Sequence, residues 1–210
     1  MSLPPKFYQS HAYPPPDKIS TPAVNTVDIY VDYACRFSCI LFTNWYENIY
    51  PKLSEAYGNK IQFIFRHQVQ VWHPTSTMMH EASLAVAQIK PEAFLEVSYR
   101  FMKNNKQFYD EATADLSRNE IYEKLYDSCI GPYIEGVKKD VFLNKLVIKK
   151  SEDPKNSGNA VSNDLKAFTK IGRQNSIHAT PTIVVNGYTD GSFESSTPLD
   201  KVESKLQALL

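Results

Sequence analysis

Cys35-Arg36-Phe37-Ser38-Cys39 places two thiols at what reads as a strand-to-helix junction. The alternating apolar run Val27-Asp28-Ile29-Tyr30-Val31 precedes it, and a helix-like stretch from Ile40 to Tyr57 follows. The thiolate is the nucleophilic form of cysteine, and a helix N-terminus favours it through unpaired N–H groups and the helix dipole. Arg36 adds a positive charge next door. Cys35 is therefore expected to be the most reactive cysteine, and the segment a thiol redox site. Its spacing is C-x-x-x-C, one residue longer than the C-x-x-C of the usual dithiol motif.

His178-Ala179-Thr180-Pro181-Thr182 is the second segment that could serve chemistry. Pro181 stands just before the apolar strand Thr182-Ile-Val-Val185. A cis X–Pro bond there would present the backbone of Thr180 to whatever lies opposite. The plainer reading is a proline that opens a strand.

The elements that must position these residues follow from patterning. Thr26 to Asp32 reads as a strand. Ser38 to Tyr57 carries Phe42, Trp45, Ile49 and Leu53 at helical spacing, with Pro51 predicting a kink near Asn48. Lys60 to His67 is a second strand. Helical patterns follow over Thr75 to Ile89, Glu92 to Lys103, Pro132 to Lys150 and Leu165 to Ser176. Ser117-Arg-Asn-Glu120 is a capping-box pattern. Ser151 to Asn159 is a polar loop, Asn186-Gly187 a hairpin turn, and Thr197-Pro198 the predicted N-cap and first position of a last helix.

Composition narrows the function. The chain has 210 residues, 42% of them hydrophobic, enough for one large domain or a domain with an insertion. Lys+Arg and Asp+Glu number 23 each, so a nucleic-acid or anionic-membrane partner is not expected. Three cysteines do not make a disulfide-stapled scaffold. Residues 1–23 are proline-rich and read as an irregular arm without the apolar core of a secretory signal. A membrane span is likewise not expected, and the expected compartment is reducing and cytoplasmic. Metal binding is not expected, because His67, His73, His80 and His178 are scattered along the sequence.

The order of these elements resembles the DsbA-like branch of the thioredoxin superfamily. Asp32-Tyr33-Ala34-Cys35 resembles the D-Y-x-C-P-x-C start of that branch, and Phe65-Arg66-His67 the end of its second strand. Trp72-His73-Pro74, with Ala82, Ala85 and Ala87 after it, resembles the start of its helical insertion. Ala179-Thr-Pro-Thr-Ile-Val-Val-Asn-Gly187 resembles its G-T-P-T-x-x-V-N-G segment. The resemblance covers residues 25–210 and implies an α/β, thioredoxin-like fold with an inserted helical domain. The implied core is 24–72 and 160–210, the insertion 73–159. It further implies an exposed nucleophile at Cys35 and a cis Thr180–Pro181 bond facing it, holding substrate backbone beside the sulfur. Arg36 stands where the family has proline, and the family's second cysteine falls on Ser38, with Cys39 one step later.

Two registers remain. With Cys35 as the nucleophile the motif is C-R-F-S, and Cys39 lies one turn on, where a Cys35–Cys39 disulfide needs a distorted first turn. With Cys39 as the second cysteine, Arg36 replaces the nucleophile. Cys39 also reads as a buried apolar cysteine, and Cys129 as a core one.

The expected function is a thiol-disulfide oxidoreductase acting through Cys35 by mixed disulfides with protein thiols or glutathione. Ser38 and Cys39 are further catalytic candidates, and Arg36, Phe37, Thr180 and Pro181 substrate-binding candidates. Alternatives are a glutathione-using transferase or isomerase, suggested by Ser38, and a binding protein that has lost redox activity. The likeness of C-R-F-S to C-G-F-S suggests an iron–sulfur role, against which the helical insertion argues. No resident cofactor is expected; glutathione would be a co-substrate.

Overall fold

The computed structural model describes residues 3–19 and 24–210, apart from the side chain of Ser54. Two strands form its centre. Strand β2 (Asn25–Val31) and strand β3 (Ile61–His67) run parallel, with Val27 opposite Phe63 and Val31 opposite His67. Val27, Ile29, Val31, Ile61, Phe63 and Phe65 have essentially no exposed surface. Asp28, a polar position in the alternation, is also buried, because helices cover both faces as parallel pairing requires. Its carboxylate accepts a 2.6 Å bond from Arg66 Nε on β3. Burial still raises the Asp28 carboxyl above its ordinary range, with Arg66 opposing it.

Helix α2 (Arg36–Asn48) leaves the end of β2, and a single 3-10 turn at Tyr50–Lys52 joins it to α3 (Leu53–Tyr57). The disruption falls at Asn48 as Pro51 predicts, but it ends the helix instead of kinking it. Strand β4 (Thr182–Val185) runs antiparallel to β2 on its other side and turns into β5 (Tyr188–Thr189). Asn186 at φ 51° and Gly187 at φ 89° supply the two left-handed positions of a tight hairpin turn.

Between β3 and β4 the chain forms α4 (Ser76–Ile89), α5 (Phe94–Lys103), α6 (Asp110–Thr113), α7 (Arg118–Leu125), α8 (Lys139–Leu146) and α9 (Ser162–Gln174). The capping box closes α7: Ser117 Oγ accepts from Glu120 N–H and the Glu120 carboxylate from Ser117 N–H. Helix α10 (Leu199–Gln207) ends the chain. No helix among the described residues is long and apolar enough to cross a membrane.

Three expectations need correction. Residues 132–150 do not form one helix: α8 is confined to Lys139–Leu146, and Gly136 at φ 84° interrupts what precedes it. Thr197 does not cap α10; its hydroxyl accepts from Glu194 N–H and closes the turn before the helix. The N-terminal segment is not irregular. It forms a helical turn, α1 (Tyr8–His11), and a strand, β1 (Ala12–Tyr13), that pairs antiparallel with β3 through Ala12–Ile64 and Tyr13–Phe63. Leu3, Phe7, His11 and Ala12 are buried, so the segment belongs to the core despite its prolines. The rest of the expected arm, residues 1–2 and 20–23, lies outside the described residues. The sheet order is β1-β3-β2-β4-β5.

Candidate functional site

The turn from β2 into α2 is built around a buried carboxylate. Asp32 has no exposed surface. Its Oδ1 accepts from Ala34 N–H at 2.8 Å, and its Oδ2 accepts from Gln70 N–H at 2.7 Å and lies 3.2 Å from His73 Nδ1. Its own N–H is donated to Ser38 Oγ at 3.3 Å, and its carbonyl accepts from Cys35 N–H at 3.1 Å. These bonds tie β2, the first turn of α2 and the loop after β3 into one unit, and they put Cys35 at the N-cap of α2.

The Cys35 sulfur lies 3.3 Å from the carbonyl oxygen of Thr180, toward which it can donate. The Thr180–Pro181 bond is cis. The implied nucleophile is less open than expected, since Cys35 keeps 7% exposure. Gln70 Nε2 stands 3.4 Å from both the His178 carbonyl and Thr180 Oγ1, which steadies this turn against the loop after β3. Arg36 and Phe37 project outward; Phe37 is 49% exposed, with the Arg36 guanidinium 5.0 Å from its ring. Phe37, Thr180 and Pro181 line one cavity of about 300 Å³. Ala34, Arg36, His73, Tyr109, Asp110 and Glu111 line a second, of about 390 Å³.

Ser38 and Cys39 face inward from the same turn. Ser38 is fully buried, its oxygen held by the Asp32 N–H. The Cys39 sulfur donates to the Tyr33 carbonyl at 3.2 Å and accepts from Asn105 Nδ2 at 3.0 Å. Burial pushes the Cys39 thiol far up, with the Cys35 and Asp32 charges adding to it. Burial also raises the Cys129 thiol. Cys39 N–H bonds the Cys35 carbonyl at 3.0 Å, so the first turn is regular and the two sulfurs take different partners. All three cysteines are free.

Three histidines that look scattered in the sequence form a buried chain. His11 Nε2 meets His67 Nε2 at 2.9 Å, His67 Nδ1 meets His80 Nδ1 at 2.6 Å, and Ser10 Oγ meets His11 Nδ1 at 2.7 Å. The His11 ring stacks on Phe94 at 3.9 Å and on Phe168 at 4.8 Å. Desolvation lowers all three, His80 to about 4 and His11 and His67 well below the ordinary imidazole value. Their nitrogens contact one another rather than converge on a common point. Among the described residues no group of three or more His, Cys, Asp or Glu side chains is arranged to hold a metal ion. His178 is exposed and stands apart.

Sequence reasoning singled out neither Asp32 nor His73 as a site residue. The available signals were an aspartate three residues before a cysteine at a strand end, and a histidine-proline pair opening the helical region.

A cysteine-headed helix packed on a mixed sheet, facing a cis-proline turn, defines a thioredoxin-like protein with additional helices. A thioredoxin family profile matches residues 20–204, and the chain belongs to that family. Comparison with curated proteins gives no match. Among solved structures, the chain is similar to a Pseudomonas syringae protein described as a candidate protein-disulfide isomerase. Identity is 21%, the match covers 90% of this chain and 98% of that one, and the TM-score is 0.69. Oxidised BdbD from Bacillus subtilis follows at 18% identity, 95% and 94% coverage and a TM-score of 0.61. MdbA, a thiol-disulfide oxidoreductase from Actinomyces oris, stands at 19% identity, 87% and 81% coverage and a TM-score of 0.61.

Proposed function

We propose that this protein is a DsbA-like thiol-disulfide oxidoreductase acting through Cys35 by mixed disulfides. One observation carries the reading: the Cys35 sulfur lies at the start of α2, 3.3 Å from the carbonyl at the cis-proline turn. A nucleophile is thus set beside backbone groups that can pair with an extended substrate chain. The family membership and the descriptions of the similar structures point the same way.

In the proposed reaction the Cys35 thiolate attacks one sulfur of a disulfide R–S–S–R′. The Cys35–S–S–R bond forms and R′–S⁻ leaves. A second thiolate then attacks the mixed disulfide and frees Cys35. Cys39 is poorly placed for that step, because its sulfur is engaged by the Tyr33 carbonyl and Asn105 Nδ2 and burial keeps its thiol protonated. The resolving thiol therefore comes from outside, from a protein thiol or glutathione, which suits a reducing, cytoplasmic setting. The transferase alternative needs Ser38 to reach glutathione, and Ser38 is buried with its oxygen occupied.

Incubation with oxidised glutathione followed by intact-mass analysis tests the reading. One glutathionyl adduct, mapped to Cys35, is the expected result. An adduct on Cys39 alone, or none at any pH, rules the reading out.

A further inference from the structure

The Asp32–His73 contact has the form of a carboxylate that orients an imidazole. Asp32 Oδ2, buried and already accepting from Gln70 N–H, lies 3.2 Å from His73 Nδ1. A carboxylate accepts only, so this contact fixes the proton of a neutral His73 on Nδ1 and leaves the lone pair on Nε2. The His73 side chain is 24% exposed, whereas Asp32 is completely enclosed. His73 lines the 390 Å³ cavity together with Ala34 and Arg36, the two chain neighbours of Cys35. The titratable and charged groups facing it are Asp32 after β2, Arg36 on α2, and Tyr109, Asp110 and Glu111 across the cavity.

We infer that His73 is the general acid–base partner of Cys35 and Asp32 its positioning residue, an assignment that rests on the thiol-disulfide reading above. Thiol-disulfide exchange moves a proton twice. The attacking thiol must lose one before its sulfur bonds to the disulfide, and the departing thiolate must gain one to leave as a thiol. His73 Nε2 takes the Cys35 proton, directly or through one water, and the resulting imidazolium is stabilised by the Asp32 carboxylate. Once the Cys35–S–S–R bond has formed, the same proton passes to R′–S⁻, which leaves as R′–SH. Atoms and charge balance, and His73 returns to its neutral form. Imidazole suits the task because its ordinary titration lies near neutrality. The assignment also gives the loop after β3 a role: from one short segment it brings Gln70 to the Thr180 turn and His73 to the buried carboxylate of the cysteine turn, in a cavity lined by both chain neighbours of Cys35.

The test separates proton transfer from support of the turn. An asparagine at position 73 can still donate to Asp32 from the place of Nδ1, but it has no base at the place of Nε2. Rates of mixed-disulfide formation with oxidised glutathione are measured from pH 6 to pH 9.5 for the wild type and His73→Asn, with His73→Gln as a second variant should the first fold poorly. The expected result is a rate lower by at least about tenfold at pH 6.5, a threshold set below the roughly 10²–10⁴-fold that general acid–base catalysis usually contributes. The deficit should close toward pH 9.5, where solvent deprotonates the thiol unaided. A variant that matches the wild type at pH 6.5, or is slower by one constant factor at every pH, overturns the assignment and leaves the oxidoreductase reading standing. A wild type that forms no adduct anywhere overturns both.

Discussion

Cysteine and histidine each occur in two settings in this molecule. At the cleft, Cys35 faces the Thr180 carbonyl and His73 is partly open to solvent. In the interior, the Cys39 sulfur is bonded to the Tyr33 carbonyl and Asn105, and His11, His67 and His80 contact one another, Ser10 and aromatic rings. Cys35 and Cys39 are one turn apart on the same helix. Cys35 and Cys39 are almost equally buried, at 7% and 6% exposure, so the two thiols differ in their partners: the Thr180 carbonyl at the cis-proline turn for Cys35, the Tyr33 carbonyl and Asn105 for Cys39. Burial keeps the interior thiols protonated and the interior imidazoles neutral, because it disfavours whichever form is charged.

Exchanging the two thiols should give the largest effect. Cys35→Ser is expected to abolish glutathionyl adduct formation, and Cys39→Ser to leave it in place, read by intact mass. Loss of the adduct in Cys39→Ser would show that the inner sulfur takes part and that the first turn of α2 opens. Next comes the labelling order. At neutral pH iodoacetamide should modify Cys35 at least about tenfold faster than Cys39 or Cys129, since the thiolate is the reacting species. Equal rates would erase the contrast between cleft and interior.

The interior histidines give the third prediction. They are neutral in the fold, and their lowered folded values mean that only the unfolded chain takes up protons as pH falls below about 6.5. Their contribution is therefore present above that value. It drains away on acidification toward the folded values, about 4 for His80. Each such histidine removes up to about 1.4 kcal/mol per pH unit in that window. Urea unfolding at pH 7 and pH 5 should show the loss. His11→Phe should start about 1–3 kcal/mol less stable, because it leaves the buried His67 Nε2 unpaired while Nδ1 keeps His80, and then lose less on acidification. A variant with the wild-type slope would mean that the chain of imidazoles does not titrate as a buried unit.

The smallest effect is expected at the rim. Arg36→Ala should change stability by no more than about 0.5 kcal/mol, since the residue is exposed. It should slow the reaction with the anionic oxidised glutathione more than with a neutral disulfide. Equal slowing of both would remove the charge from the account.

The sequence carried the features that local chemistry decides. The cysteine-headed helix, the disruption before Pro51, the capping box at Ser117 and the Asn186-Gly187 turn each depend on neighbours within a few residues. The histidine chain was illegible because His11 and His67 are 56 positions apart and His80 belongs to yet another element. Nothing in a local window signals that packing. The Asp32–His73 contact spans 41 positions and was hidden for the same reason, although both residues sat within recognisable motifs. The N-terminal strand was missed because its prolines outweighed the apolar Leu3, Phe7 and Ala12. The overlong helix at 132–150 was read from periodicity that ignored Gly136.

The sheet begins and ends with strands of two residues, β1 and β5. An outermost strand is where a foreign chain can add itself by backbone pairing, and the length of free ladder sets how well it holds. On one side, the N-terminal segment lies over β3, which is buried along its whole length. On the other, β5 offers two residues beside the hairpin. The molecule thus gives an extended polypeptide little purchase along its borders. The backbone open to pairing is the short stretch at Thr180 rather than an edge of the sheet.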